Sequence, residues 1–204
     1  MEPRPLQKLE DLDLRQPIWH RFFWVSPLAV IGTLEPDGRI DFAPKHMVTP
    51  MGWDNYFGFV CTPRHSTYTN IERDGVFTVS MPRPDQVLLA SLCAAPRCGG
   101  EEGDKPVLDS LQTRPATVVK GSFVAQSYLF LECESFKIVD GFGENSLITG
   151  KIVAAHVARD SLRTLEHDGQ DLIRQAPLLA YLPPARFAKV ERTFSFPFPA
   201  GFKR

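Results

Sequence analysis

The tetrapeptide Glu35-Pro36-Asp37-Gly38 constrains this chain more than any other four residues in it. Proline presets one backbone angle and glycine accepts positive φ without strain, so the segment is a tight-turn signal. Before it runs Ser26-Pro27-Leu28-Ala29-Val30-Ile31-Gly32-Thr33-Leu34, apolar and continuous like a buried strand. After it, Arg39-Ile40-Asp41-Phe42-Ala43 alternates polar and apolar. A β-hairpin follows from that order. Further strand-like runs recur at Asn55–Cys61, Gly75–Met81 and Ala185–Phe194. Residues 22–31 read as the first strand of the set. Helical windows are few and short. One follows Cys61; another is Asp85–Ala95, whose Val87, Leu88, Leu89 and Leu92 share a face. A third is Leu162–His167, capped by Asp160 or Ser161 and ended by Gly169. The expected fold is mainly β with a few short helices; closing such strands into an antiparallel barrel would remove their exposed edges.

The 204 residues suffice for one domain with a full core. The expected organisation is a single domain over 1–204: an N-terminal arm 1–21, a barrel core about 22–194 and an aromatic, Pro-rich tail 195–204. A net charge of −1 argues against a nucleic-acid binder, which carries a basic surplus. No apolar run reaches the ~18 residues of a membrane-spanning helix. The start, Met1-Glu2-Pro3-Arg4-Pro5, lacks the basic-then-apolar order of a signal peptide. Cys61, Cys93, Cys98 and Cys133 contain no Cys-x-x-Cys pair, so zinc is not expected and buried free thiols are. Cys93 and Cys98 are the one pair to check for a redox link. A reducing, cytoplasmic compartment fits this usage.

Chemistry concentrates in Thr62-Pro63-Arg64-His65-Ser66-Thr67-Tyr68-Thr69-Asn70-Ile71. A strand exit that enters a helix with hydroxyls and a guanidinium supplies the donors and positive field a phosphate needs. The same residues also make a capped surface helix, with Thr69 and Glu72 spaced as a capping box. Both readings stand at this point. A second irregular patch, Pro44-Lys45-His46-Met47-Val48-Thr49-Pro50-Met51-Gly52, follows the hairpin. Nucleotide fingerprints are missing. Gly141-Phe142-Gly143 lacks the third glycine of a dinucleotide turn, and Gly150-Lys151 lacks the following hydroxyl and the upstream glycine of a phosphate loop. No Gly-x-Ser-x-Gly elbow is present. Among the five histidines, His156 lies in a strand-like run and reads as structural, and His20 sits in an aromatic cluster. Glu101–Lys105 reads as a solvated loop, and Phe194–Phe202 is too apolar for a free end, so it is expected to pack on a second subunit or partner.

Gly32-Thr33, Asp37-Gly38, Ala43-Pro44, the aromatic strand 55–60, Thr67-x-x-Asn70-Ile71 and Gly75-Val76-Phe77-x-Val79 stand in an order that resembles the flavin reductase-like family of FMN-binding split barrels. The likeness is good over about 25–81 and looser over 114–158. The resemblance implies FMN bound at a homodimer interface, its phosphate at the loop and helix start after the third strand and its ring along the loop after Ala-Pro. Position by position, Thr62, Arg64, His65, Ser66 and Thr67 become phosphate-side candidates, with Asn70 supporting the turn. His46, Met47, Val48 and Thr49 become ring-side candidates, and Lys45-His46 could set a positive field at the flavin edge. The implied activity is reduction of FMN, or of a small acceptor through bound FMN, by NADH or NADPH. Electrons would pass to a small-molecule or protein acceptor; no metal, nucleic acid or membrane is implied, and no catalytic side chain is singled out. Two alternatives stay open: a flavin binder or electron carrier without turnover, and a split barrel that takes haem or a deazaflavin.

Overall fold

The computed structural model describes residues 7–94, 105, 107–164 and 168–201. Its main sheet takes β2 (Ala29–Leu34), β3 (Ile40–Lys45), β4 (Val48–Pro50), β5 (Tyr56–Cys61), β6 (Val76–Met81), β9 (Leu129–Phe142) and β10 (Asn145–Val157) in the order β3-β2-β6-β9-β10-β5-β4. Every neighbouring pair is antiparallel. The two edges, β3 and β4, are consecutive in the chain with only His46 and Met47 between them. Three Cα steps span at most about 11 Å. The sheet therefore has to curl until its edges meet. The Val60 N–H donates to the Met47 carbonyl at 2.9 Å, and the Lys45 ammonium donates to Cys61 Sγ at 3.3 Å across the closure. This is the expected mainly β, split-barrel architecture.

Both faces of β2 are buried, which is why its sequence reads as a continuous apolar run. Ala29 and Ile31 join the barrel interior with Phe59, Ile71, Phe77, Val79, Cys133 and Ile148. Val30 points the other way, into a second cluster with Leu28, Phe42, Ala90, Cys93, Leu111, Val124 and Leu179. That outer layer is covered by α2 (Val87–Leu92), α3 (Val107–Ser110), the ribbon of β7 (Thr113–Pro115) and β8 (Ser122–Val124), and β11 (Leu178–Leu182). Gly32 makes the layer possible: a Cβ there would lie 2.8 Å from the Ser122 carbonyl and collide with Thr78 Oγ1.

Four local expectations are corrected. The first strand is not one piece over 22–31: Ser26–Pro27 forms β1, which pairs with β11, and β2 starts anew at Ala29. Proline offers no N–H to a central ladder, so the chain changes sheet there. The helix expected at Leu162–His167 is not centred there. Arg159–Ser161 is a 3-10 turn, residues 165–167 lie outside the described residues, and α4 runs Gly169–Gln175. The Asp168 carboxylate accepts from the Gln170 and Asp171 N–H groups, so Gly169 starts a helix rather than ending one. The last strand, β12, is Arg186–Val190, shorter than Ala185–Phe194. Lys105 is no loop cation: its ammonium donates to Asp41 and to the Phe42 carbonyl, while Glu101–Asp104 lie outside the described residues.

Cys61, Cys93 and Cys133 are free and buried, and burial pushes the Cys93 thiol up to about 11 and Cys133 up to about 12. Cys98, the residue to be checked against Cys93 for a redox link, lies outside the described residues. Among the described residues no helix is long and apolar enough to cross a membrane, and no cluster suits a metal ion.

Candidate functional site

Barrel closure places the two singled-out loops side by side. His46-Met47 forms the corner between β3 and β4, and Thr62–His65 leaves β5, the strand that β4 pairs with. The Lys45–Cys61 contact joins the residues that precede each loop. Lys45 is buried, so it braces the closure instead of sharing a surface with His46. At the corner His46 is half-buried, with its ring 5.1 Å from that of Tyr181. Met47 and Thr49 are exposed, whereas the Val48 side chain belongs to the barrel interior. Of the four ring-side candidates, Val48 can therefore contribute only backbone.

After Thr62 the chain turns, with the His65 N–H donating to the Thr62 carbonyl at 3.1 Å, and α1 runs Ser66–Asp74. Its N-cap is His65, at φ −93° and ψ 141°, whose side chain makes no capping hydrogen bond. The expected capping box of Thr69 and Glu72 does not form. Thr69 lies inside the helix, where its hydroxyl donates to the Ser66 carbonyl. The first intrahelical donors are Tyr68 and Thr69, both to the His65 carbonyl. The N–H groups of Ser66 and Thr67 therefore have no acceptor among the described residues. Orphan first-turn donors with the positive end of the helix dipole form an anion site. This is what a phosphate would need, and it fits the group implied by the sequence.

The side chains divide the work. Thr67 is 2% exposed and Asn70 1%, so neither side chain faces a ligand. Thr67 can offer its N–H. The Asn70 amide donates to Thr33 Oγ1 at 3.1 Å, and its carbonyl accepts from Arg73 at 3.0 Å. Asn70 thus fastens α1 to β2, a supporting role like the one expected of it. Gly75, at φ +69°, ends α1 with a left-handed cap that a side chain would strain. Ser66 is exposed and His65 and Thr62 half-buried at the loop.

Arg64 is engaged elsewhere. Its guanidinium donates to Glu144 Oε1 at 2.9 Å, with both side chains about three-quarters exposed. Glu144 sits in the turn between β9 and β10, beside a 230 Å³ pocket that Arg64, Thr62 and Asp140 also line. Asp140 accepts from the Tyr68 hydroxyl at 3.2 Å and from Ser146 at 2.6 Å, and so ties α1 to this hairpin. Burial, then the Asp140 carboxylate, holds the Tyr68 phenol above its usual range. Two carboxylates make that pocket a poor anion site. Arg64 reaches an anion at Ser66 and Thr67 only by leaving Glu144. Glu144→Gln should therefore raise affinity for a phosphate-bearing ligand by up to about fivefold, since an exposed ion pair is worth ~0–1 kcal/mol. Titration with FMN, read by quenching of flavin fluorescence, checks this; weaker binding would mean that Glu144 itself holds the ligand. The partnership was illegible in sequence, because Arg64 and Glu144 stand 80 residues apart.

The fold and this geometry can be set beside known proteins. The component B of nitrilotriacetate monooxygenase from Bacillus cereus superposes with a TM-score of 0.77 at 15% identity, over 94% of this chain and 100% of the other. Flavoredoxin of Desulfovibrio vulgaris (Miyazaki F) gives 0.73 at 19%, over 95% and 100%. An FMN-binding protein from Thermus thermophilus, with bound 1-cyclohex-2-enone, gives 0.70 at 18%, over 93% and 99%. At these identities the likeness is one of fold. The family model described as flavin reductase like domain matches residues 22–181, most of the chain and all of the barrel. By its strand order, its closure and that match, the chain belongs to the flavin reductase-like family.

Proposed function

We propose that this chain binds FMN across the His46–Thr49 corner and the α1 N-terminus and serves as an NAD(P)H-dependent flavin oxidoreductase. The carrying observation is the first turn of α1, with two N–H groups beside the closure corner that have no acceptor among the described residues. Membership in a flavin reductase-like family supports a flavin-related oxidoreductase. When bound, FMN supplies the hydride-accepting chemistry. The chain's own residues bind and orient. The Ser66 and Thr67 N–H groups and the Ser66 hydroxyl would hold the phosphate, with Arg64 added once it leaves Glu144. His46 would donate a hydrogen bond to the ring edge, and Met47 and Thr49 would flank it. No proton-transferring side chain is required of the protein for hydride transfer to the flavin.

The reading includes a homodimer. Trp19, Phe23 and Trp24 of the N-terminal arm and Phe136 and Phe142 of the β9–β10 hairpin are each more than half exposed, more apolar surface than a lone barrel leaves to water. It also includes a reducing, cytoplasmic setting, supported by the free buried thiols. The electron acceptor is taken to be a small molecule or a protein.

The test is a visible spectrum of the purified protein before and after addition of FMN, then NADH or NADPH oxidation followed at saturating flavin. Saturable FMN binding with FMN-dependent nicotinamide oxidation is the expected result. Bound FMN that neither nicotinamide reduces would leave a carrier and overturn the reductase. Failure to bind FMN would overturn the whole reading.

A further inference from the structure

A second cleft opens on the other side of the closure corner. It holds about 410 Å³ between the corner and the turn from β11 to β12, within the ~300–1,000 Å³ range of small-molecule pockets. Its walls include Leu28, Pro44 and Phe187. Tyr181 presents a ring whose hydroxyl donates to the Pro184 carbonyl at 2.6 Å, which holds the phenol in place as a flat face. The His46 ring lies against it. Arg186 stands at the rim, and its guanidinium has no ion pair or hydrogen bond among the described residues. Among the described residues no carboxylate lines this cleft, in contrast to the pocket shared by Asp140 and Glu144. An apolar slot with aromatic faces selects a planar ring. A single guanidinium with no carboxylate to displace selects an anionic group on that ring, and guanidinium pairs with carboxylate in bidentate fashion.

We propose that this cleft binds a small planar aromatic carboxylate, with Arg186 holding the carboxylate and Tyr181, Phe187 and Pro44 enclosing the ring. His46 belongs both to this cleft and to the corner assigned to the flavin, so the inference rests on the flavin reading when it makes this ligand the acceptor. It does not need that reading for binding.

The experiment uses the whole chain, with benzoate as probe and benzamide as its neutral counterpart, titrated by calorimetry with and without saturating FMN. Saturable benzoate binding in both conditions is expected, with benzamide weaker by about tenfold or more, the worth of one charge-assisted contact. Arg186→Gln should bring benzoate down to the benzamide level, with a thermal melt as the check on folding. Arg186 is an exposed residue on an edge strand, and the comparison of the two probes on the unmodified chain stands even without the variant. Equal affinity for the two probes, no effect of Arg186→Gln, or displacement of benzoate by FMN would each overturn the proposal. Benzoate bound by a chain that does not bind FMN would sink the flavin reading and leave the cleft standing.

Discussion

Replacing Glu132 by Gln should lower the unfolding free energy by roughly 2–6 kcal/mol, the cost of leaving two buried donors unmet at ~1–3 kcal/mol each. Glu132 is fully buried in β9. Its Oε1 accepts from the Thr117 N–H at 2.8 Å and from the Thr117 hydroxyl at 2.7 Å. Its Oε2 accepts from the N–H groups of Val118 at 2.6 Å and Val119 at 2.8 Å. His156 Nε2 stands 3.3 Å from Oε1. A glutamine can keep one carbonyl on Thr117, but its NH2 then meets two N–H donors that it cannot satisfy. The loop between β7 and β8 would lose its anchor on the sheet. At about 2–4 °C per kcal/mol for a chain of this size, the melting midpoint should fall by roughly 4–24 °C. A fall under about 2 °C would show that the loop finds other acceptors.

The same carboxylate makes a pH prediction. Burial alone pushes its pKa up, but the donors from Thr117, Val119 and Val118 outweigh burial and hold it down at about 2. A folded pKa below the unfolded one gives stability that is fully present above the unfolded value, near 4.5. That stability drains as pH falls from there toward about 2. The difference in stability between the wild type and Glu132→Gln should therefore be constant at neutral pH and shrink through this acid window. A difference that stays flat from neutral pH to the acid limit would assign the acid sensitivity to other carboxylates. His156, expected to be structural, is part of this network; its partner was hidden because Glu132 reads in sequence as one polar residue in an apolar strand.

What was legible in the sequence was local. Asp37-Gly38 turns the chain at φ +86°, and the runs at 55–61 and 75–81 become β5 and β6 with one residue trimmed from each start. The Thr67-x-x-Asn70 motif implied a supporting role for Asn70, and its amide does fasten α1 to Thr33. What was hidden depends on partners far along the chain. Pro27 reads as an interruption only once β11 supplies β1 with a neighbour. The capping box at Thr69 and Glu72 satisfied a spacing rule, but the turn closed by the His65 N–H puts the N-cap at His65, four residues earlier. Arg64 read as a phosphate-side guanidinium, and the hairpin brought Glu144 to it. The cleft at Arg186 joins residues from 28 to 187, so no window of sequence contains it. In each case the local rule was sound, and a long-range contact chose between the alternatives it left.

Ser66→Pro should weaken FMN binding by at least roughly 10- to 100-fold, the loss of the charge-assisted N–H hydrogen bond alone being worth ~1.5–3 kcal/mol and the hydroxyl's contact adding to it, and leave riboflavin binding where it was. The substitution is informative because the helix tolerates it. Ser66 is the first residue of α1, a position where proline's fixed φ suits the helix and its missing N–H breaks no intrahelical bond. The residue before a proline must be extended, and His65 already is, at ψ 141°. What disappears is one N–H at the helix start, together with the hydroxyl; Ser66→Ala removes the hydroxyl alone and separates the two. Thr67 does not offer so clean a test, because its buried side chain would be lost with its N–H. Riboflavin carries the ring without the phosphate, so it reports on the His46–Thr49 corner alone. Equal losses for both flavins would mean that the substitution disturbed the barrel closure. An unchanged FMN affinity in a normally melting variant would move the phosphate away from α1, and with it the reason for assigning a flavin to this end of the barrel.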